Sequence, residues 1–189
     1  MRNTEVVTGK VRFSYLNVFT PKAPQGGGEP KYSVTLLIPK GDTATMQRIN
    51  AAMTAAREAY VARNGAQSLP AKPSHTIHDG DGLRPGGEEF PPECKGCYVI
   101  TVNAKADRKP GVFGTFGEDI TDPSEIKSGD YGRAHINFYA YNTAGKKGIS
   151  AGLLAIKKLA DGEPLGGAVA SASAFDDGYA GDEDGSLKF

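Results

Sequence analysis

The segment 131–142 (YGRAHINFYAYN) constrains the fold more than any other stretch, because its side chains alternate cleanly in polarity. One face carries only apolar side chains, namely Ala134, Ile136, Phe138 and Ala140. A period of two predicts a strand with one buried and one exposed face. A turn at 143–146 then leads into an apolar run at 147–157, so we expect these two segments to pair as a hairpin.

Three earlier segments are rich in β-branched and aromatic residues and predict further strands: 9–19, 31–38 and 97–106. Between the second and the third lies the one clear helical pattern, at 43–64. There, apolar side chains recur at spacings of three and four: Met46, Ile49, Met53, Ala56 and Tyr60. Asp42 or Thr43 is a suitable N-cap, and Gly65 provides a C-terminal stop.

Long segments rich in proline and glycine separate these elements, above all 21–30 and 66–96. A loop of the second length inside a compact domain is usually functional or ordered by a partner. Five strands, one inserted helix and long loops predict a mainly β fold. The leading candidate is the OB-fold, a five-stranded Greek-key barrel, although the number of strands alone also suits other small barrels.

The charge of the chain is distributed unevenly. It has 22 Lys and Arg against 22 Asp and Glu, yet residues 175–189 hold five acids and one lysine. The remainder therefore has 21 basic and 17 acidic residues, a net charge of +4. We divide the chain into a barrel domain (1–161), a flexible linker of small residues (162–174) and a disordered acidic tail (175–189). A basic body with an acidic tail suggests that the body binds a polyanion and that the tail imitates one.

The tail has a chemistry of its own. Its acids are Asp176, Asp177, Asp182, Glu183 and Asp184, and the sequence closes on Phe189. A terminal aromatic residue with its carboxylate can dock in an apolar pocket beside a cation. We expect the tail to bind a partner protein or the groove of the protein itself, rather than only to solvate the chain.

Several classes of protein are disfavoured by composition. No run approaches 18 consecutive apolar residues, and the N-terminal segment MRNTEVVTGKV lacks the apolar stretch of a signal peptide. Two cysteines suit a reducing compartment, where both would be thiols. We expect a cytoplasmic protein that does not associate with membranes.

The polar face of the 131–142 strand is the best candidate surface for a nucleic acid. Arg133 can neutralise a phosphate, and Tyr139 and Tyr141 offer rings on which bases stack without a sequence match. The alternative is that these tyrosines cover a second small core. Basic residues and a phenylalanine elsewhere extend the surface, and the choice between DNA and RNA stays open. The candidate contacts are Lys10, Arg12, Lys31, Lys105, Arg108, Lys109, Phe113, Arg133, Tyr139, Tyr141, Lys146 and Lys147.

The long loop holds two pairs of potential metal ligands, which match tetrahedral zinc in type and number: His75, His78, Cys94 and Cys97. A structural metal would also order the loop. Alternatively, a metal-dependent nuclease would hold its ions on the HTIHDGD stretch, through His75, His78, Asp79 and Asp81. No second ligand cluster, Walker A sequence, nucleophile elbow or HExxH motif supports catalysis. We expect a non-enzymatic protein without a cofactor, with a zinc-stabilised interaction module and the nuclease as the alternatives.

The segment 128–142 (SGDYGRAHINFYAYN) and the next block, 147–153 (KGISAGL), resemble a phage family of single-stranded-DNA-binding proteins, formerly described as a domain-of-unknown-function family. The likeness continues in VRFSYLNVFTPK, in KYSVTLLIPK and in DGEPLGG, and it covers roughly residues 8–167. The resemblance implies an OB-fold that coats single-stranded DNA during phage replication and recombination, in the cytoplasm of the host cell.

The resemblance also bears on the tail. Phage and bacterial proteins of this function commonly end in an acidic tail with a terminal aromatic residue, which recruits replication or recombination enzymes and competes for the DNA groove. The ending of this chain matches that pattern. Neither the metal candidates nor the individual DNA contacts are carried over from the family, and a homodimer stays open.

Overall fold

The computed structural model describes residues 2–24, 27–143 and 145–166, so most of the expected linker and the whole acidic tail lie outside the described residues. Across these ranges the chain forms nine strands and one α-helix. The elements are β1 (Glu5–Val7), β2 (Val11–Lys22), β3 (Lys31–Pro39), α1 (Thr43–Asn64), β4 (Ser74–His75), β5 (Ile77–Asp79), β6 (Cys97–Lys105), β7 (Gly111–Phe113), β8 (Tyr131–Thr143) and β9 (Lys146–Ala160).

Five of these strands close a barrel. β2 pairs with β3, β3 with β6, and β8 with both β2 and β9, all in antiparallel fashion. A parallel pairing of Asn103 with Gly152 joins β6 to β9 and completes the ring. The resulting order, β2-β3-β6-β9-β8 and back to β2, makes a partly open Greek-key barrel of the OB type. The mainly β fold with one inserted helix is therefore confirmed.

The interior of the barrel is filled by apolar side chains from every strand of the ring. The largest fully buried ones include Phe13, Leu36, Ile100, Phe138 and Ile156. Each such side chain contributes roughly 1.5–3 kcal/mol by leaving water. On β8 as far as Tyr139, and at the start of β3, buried positions alternate with more exposed ones, so the outward side chains there are accessible for binding.

The helix spans the residues that the pattern predicts. Its N-cap is Asp42, whose carboxylate accepts a hydrogen bond from the backbone N–H of Thr45 at 3.0 Å. The buried stripe differs from the expected one, since Thr45 and Ala52 are buried whereas Met46 and Met53 are only half-buried. Small side chains let the helix approach the barrel closely, and the Thr45 hydroxyl accepts a hydrogen bond from the backbone N–H of Gly9 at 2.8 Å.

The segment 66–96 is more structured than a loop, which corrects the expectation from its composition. β4 pairs with β9 and β5 pairs with β6, so this segment packs against the barrel and adds two short strands to its sheet. The ammonium of Lys40 holds it in place through Asp79 at 2.6 Å and Asp81 at 2.7 Å. These pairings involve strands far away in sequence, so no local periodicity announces them.

The loop before β8 is organised around a buried carboxylate. The side chain of Asp130 is fully buried and accepts hydrogen bonds from the backbone N–H groups of Lys127 and Gly162, each at 3.0 Å. The ammonium groups of Lys127 and Lys158 lie 2.7 and 3.1 Å from its oxygens. Burial raises the pKa of Asp130, but these hydrogen bonds lower it by more, so the pKa lies below its usual range.

Residues 161–166, the exit strap, run back from the end of β9 along the outside of the barrel. Arg12 donates from its guanidinium to the carbonyl of Glu163 at 2.8 Å, and the N–H of Leu165 donates to the carbonyl of Ser128 at 3.0 Å. The strap therefore places Gly166, the last described residue, beside β2.

Candidate nucleic-acid interface

A groove with a volume of about 500 Å³ crosses the outer surface where β6 and β9 meet. We call it the basic groove, because it is lined by one acid, Glu5, and by four cations: Arg2, Lys105, Arg108 and Lys109. Its other walls are polar or apolar and include Asn103, Asn137, Tyr139, Gly152 and Leu154. The groove combines positive charge, amides and an aromatic ring on one open surface.

The groove exists because β6 and β9 pair at Asn103 and Gly152 and diverge on either side of this point. β5 covers one part of the β6 edge, and β4 and β7 cover other parts of the β9 edge. A Cβ at Gly152 would collide with the amide oxygen of Asn137. The glycine therefore keeps the floor of the groove low between two amides.

Polar side chains continue from the groove around the barrel at the same level. Gly152 is opposite both Asn103 and Asn137, Asn103 is opposite Ser33, and Ser33 is opposite Asn17. Residues directly opposite on neighbouring antiparallel strands share one face of the sheet. The amide row, Asn17, Ser33, Asn103 and Asn137, is thus a line of hydrogen-bonding groups on the outer surface.

Three lysines form a second row, the lysine row, at one end of the barrel. Lys22 is opposite Lys31, and Lys31 is opposite Lys105. Like charges directly opposite across a sheet destabilise it. None of the three makes a salt bridge within the part of the chain that the structure describes. A polyanion lying along this end would remove the repulsion.

The apolar part of the groove is also exposed. The side chain of Tyr139 is 46% exposed, so it faces solvent and does not cover a second core. Leu154 is exposed and has no partner on β8: His135 pairs with Ala155 and Ile136 with Leu153, which leaves a β-bulge at Leu154. The ring and the leucine provide a surface on which a base can stack.

Glu5 is the acid of the groove, and it is partly neutralised. A hydrogen bond from the backbone N–H of Arg2, at 3.1 Å, lowers the pKa of Glu5, and His135 contributes with its Nε2 atom 3.5 Å away. Nε2 is buried and makes no hydrogen bond within the described residues. The carboxylate therefore remains charged, and the guanidinium of Arg2, whose Nε atom lies 3.9 Å from it, reduces its repulsion of an anion.

Other predicted contacts lie outside the basic groove. Lys10 and Arg12 both lie over the ring of Tyr131, at 4.9 and 5.5 Å from its centroid. Arg12 also hydrogen-bonds the exit strap, and the guanidinium of Arg133 donates to the carbonyl of Thr8 at 2.7 Å. These cations make their intramolecular contacts away from the basic groove, which Lys105, Arg108 and Lys109 line.

The remaining candidates also lie outside the basic groove: Phe113, Tyr141, Lys146 and Lys147. Phe113 is half-buried and packs against Gly111, and the hydroxyl of Tyr141 lies over Gly148. Lys146 and Lys147 are exposed at the start of β9. One further contact brings Lys109 to 5.9 Å from the ring centroid of Phe19, on β2.

The four zinc candidates do not converge. The described residues contain no group of three or more His, Cys, Asp or Glu side chains that could hold a metal ion. Cys94 and Cys97 are thiols, and burial raises the pKa of both. Asp79 and Asp81 are instead paired with Lys40, whose hydrogen bonds lower both of their pKa values. Neither the zinc module nor the nuclease gains support from this arrangement.

Sequence reasoning missed several residues of the basic groove and the lysine row, namely Arg2, Lys22, Asn103, Asn137, Gly152 and Leu154. Asn137 lies on the polar face of the 131–142 strand, but the others share no local pattern. Only the register of β6 against β9 brings Asn103 to Gly152.

Within the described ranges, no helix is long and apolar enough to cross a membrane.

Comparison with known proteins gives a consistent result. A family model described as the single-stranded-DNA-binding protein of Enterobacter phage Enc34 matches residues 4–187. The solved structure of that protein in complex with single-stranded DNA is 31% identical, covers 87% of this chain and 91% of its own, and has a TM-score of 0.74. A protein named p50, from Acyrthosiphon pisum secondary endosymbiont phage 1, is 27% identical over 182 residues, which are 92% of this chain and 93% of p50. The bacteriophage T7 single-stranded-DNA-binding protein gp2.5 shares the fold, with 17% identity, 98% coverage of both chains and a TM-score of 0.61.

Proposed function

The chain belongs to the family of phage single-stranded-DNA-binding proteins represented by that of Enterobacter phage Enc34, and we propose that it binds single-stranded DNA in the basic groove. It does so without sequence preference and without catalysing a reaction. The observation that carries the proposal is the lysine row, which makes no salt bridge within the described residues and lies at the end of a groove with an exposed tyrosine.

Phosphates bind the cations of the groove and of the lysine row. Each neutralised phosphate releases condensed counterions, so the logarithm of the binding constant falls by about 0.7 per phosphate for each tenfold rise in salt. This attraction does not depend on the sequence of the strand. The binding therefore tolerates any sequence and weakens steeply with salt.

Bases bind Tyr139 by stacking, which contributes about 1–3 kcal/mol per base and works for every base. The amides of Asn103 and Asn137 lie beside it and can hydrogen-bond a base edge or a sugar. A duplex keeps its bases stacked and paired, so it cannot offer one to Tyr139. We therefore expect single strands to bind more tightly than duplexes.

The acidic tail competes with DNA for the same cations. Its five acids and Phe189 share the charge and the aromatic character of phosphates and bases. Residues 167–189, which follow the exit strap, span up to roughly 75 Å if fully extended. A domain of this size is only about 40 Å wide. The tail can therefore reach the groove of its own molecule or of a neighbour, as in a homodimer.

Deleting residues 175–189 tests this competition. We expect tighter DNA binding at low salt and a smaller gain at high salt, where screening already weakens the tail. The same tail recruits replication or recombination proteins in the cytoplasm of the host cell. An affinity that the deletion leaves unchanged at every salt concentration would refute competition and leave recruitment as its role.

A titration of fluorescein-labelled strands tests the function itself. Single-stranded DNA, RNA of the same sequence and duplex DNA are compared at two salt concentrations by fluorescence anisotropy. We expect single-stranded DNA to bind more tightly than duplex, and more weakly at high salt. Equal affinity for single strands and duplex, or no salt dependence, contradicts the proposal. Cleavage of the labelled strand with Mg²⁺ or Mn²⁺ would instead support the nuclease.

A further inference from the structure

Tyr15 is held in an unusual conformation on the outer face of β2. Its side chain is 59% exposed, and its φ of 47° is the only positive value for a non-glycine residue in the described ranges. Ser14 pairs with Thr35 and Asn17 with Ser33, so two residues of β2 oppose one of β3. Tyr15 is therefore the first residue of a β-bulge, a feature that redirects side chains beside binding sites.

The bulge is fixed by hydrogen bonds to the loop that precedes β8 and by one within β2. The backbone N–H of Leu16 donates to the hydroxyl of Ser128 at 3.0 Å, and the side chain of Asn17 donates to the carbonyl of Tyr15 at 3.0 Å. Neighbouring backbone hydrogen bonds join this part of β2 to the same loop, including Gly129 to Phe13 at 2.8 Å. The surrounding structure thus imposes the conformation and presents the ring to solvent.

The position of Tyr15 continues the basic groove. Asn17 lies at the level of Ser33 and Asn103, and Asn103 lines the groove. Two strand spacings separate Asn17 from Asn103, which corresponds to about 10 Å. The amide row therefore connects the groove to the bulge across the outer face of the barrel.

The surroundings of Tyr15 suit a base better than a phosphate. The ring lines a shallow pocket of about 110 Å³ together with Leu165 and the carboxylate-bearing Glu93. The carboxylate repels a phosphate, whereas the ring and the leucine accept the face and edge of a base. Gly166 also lines the pocket.

We propose that Tyr15 is a second base-stacking platform, which extends the path of single-stranded DNA from the basic groove across β3 and β2 to the exit strap. The inference rests on the proposed function, because it needs a strand already bound at Tyr139. It adds a subsite at the far end of the amide row.

Substituting Tyr15→Gly tests the subsite without disturbing the fold, because glycine adopts a positive φ readily. Anisotropy titrations with labelled oligo-dT of increasing length should show affinity lower by roughly 5- to 150-fold for strands long enough to reach both tyrosines. The shortest strands that bind should show no loss. Tyr15→Phe should bind like the unmodified chain, and Tyr15→Gly should retain its melting temperature.

Phe116→Ala is the matched control, because this ring is 95% exposed and does not line the groove. Losses equal to those of Tyr15→Gly would show a general effect of removing an exposed ring and would overturn the proposal. So would unchanged or tighter binding by Tyr15→Gly, the latter indicating that Tyr15 holds the tail. Absence of binding by the unmodified chain refutes the function itself, whereas a loss in Tyr139→Ala without one in Tyr15→Gly overturns only the subsite.

Discussion

Replacing Lys105 with glutamine probes the surface directly, because this residue belongs to both the basic groove and the lysine row. Six cations follow this surface: Arg2, Lys22, Lys31, Lys105, Arg108 and Lys109. If each neutralises one phosphate, the slope of log binding constant against log salt is about −4. Lys105→Gln should bring the slope to about −3.5, and at about 0.1 M salt it should weaken binding roughly fivefold.

The assay is an anisotropy titration with labelled oligo-dT at several KCl concentrations, on the full chain and on the chain without residues 175–189. Comparing these two proteins separates the salt dependence of DNA binding itself from the salt dependence of competition by the tail. Lys95→Gln is the control, because Lys95 is exposed and precedes the opposite end of β6, about 26 Å of strand away from Lys105. The reasoning fails if Lys105→Gln leaves the slope unchanged, or if both variants change it equally.

Three further substitutions test the groove and the fold. Gly152→Leu should block the groove and lower affinity about tenfold, or about 1.4 kcal/mol, and its Cβ would displace the amide end of Asn137, a flexible side chain; an unchanged affinity by anisotropy would contradict this. Tyr139→Ala should weaken binding by about 1–3 kcal/mol and Tyr139→Phe should not, since stacking needs only the ring; equal losses by anisotropy would refute stacking. Asp130→Asn should reduce the free energy of unfolding by roughly 3–5 kcal/mol in urea. Because the pKa of Asp130 is lowered in the folded state, its stabilisation is present above about pH 4 and lost as the pH falls through the folded pKa. The variant should therefore lose less stability than the unmodified chain between about pH 4 and pH 2.

Local signals predicted the parts of the fold that local interactions determine. The helix begins after Asp42 and ends before Gly65, as capping and spacing indicate. The hairpin of β8 and β9 follows from alternation and a short turn. Both depend on residues close together in sequence, so the pattern alone contains the information.

The groove could be predicted only in part. Lys105, Arg108, Lys109 and Tyr139 were recognisable as basic and aromatic residues near strand ends. The role of Gly152 depends on its register against two strands, and the bulge at Tyr15 on a backbone conformation imposed by a distant loop. Periodicity carries no information about either, because both arise from long-range pairing.

The single pairing that joins β6 to β9 also has a consequence for hydrogen exchange. β8 and β9 pair along thirteen positions, whereas β6 and β9 pair at one. Local opening requires least free energy where backbone hydrogen bonds are fewest, so amides that bond across the β6–β9 junction should exchange before those that bond across the β8–β9 hairpin. If single-stranded DNA binds in the groove as proposed, it contacts both sides of this junction and binds only the closed barrel. By mass action it should then protect these amides and raise the stability of the whole domain.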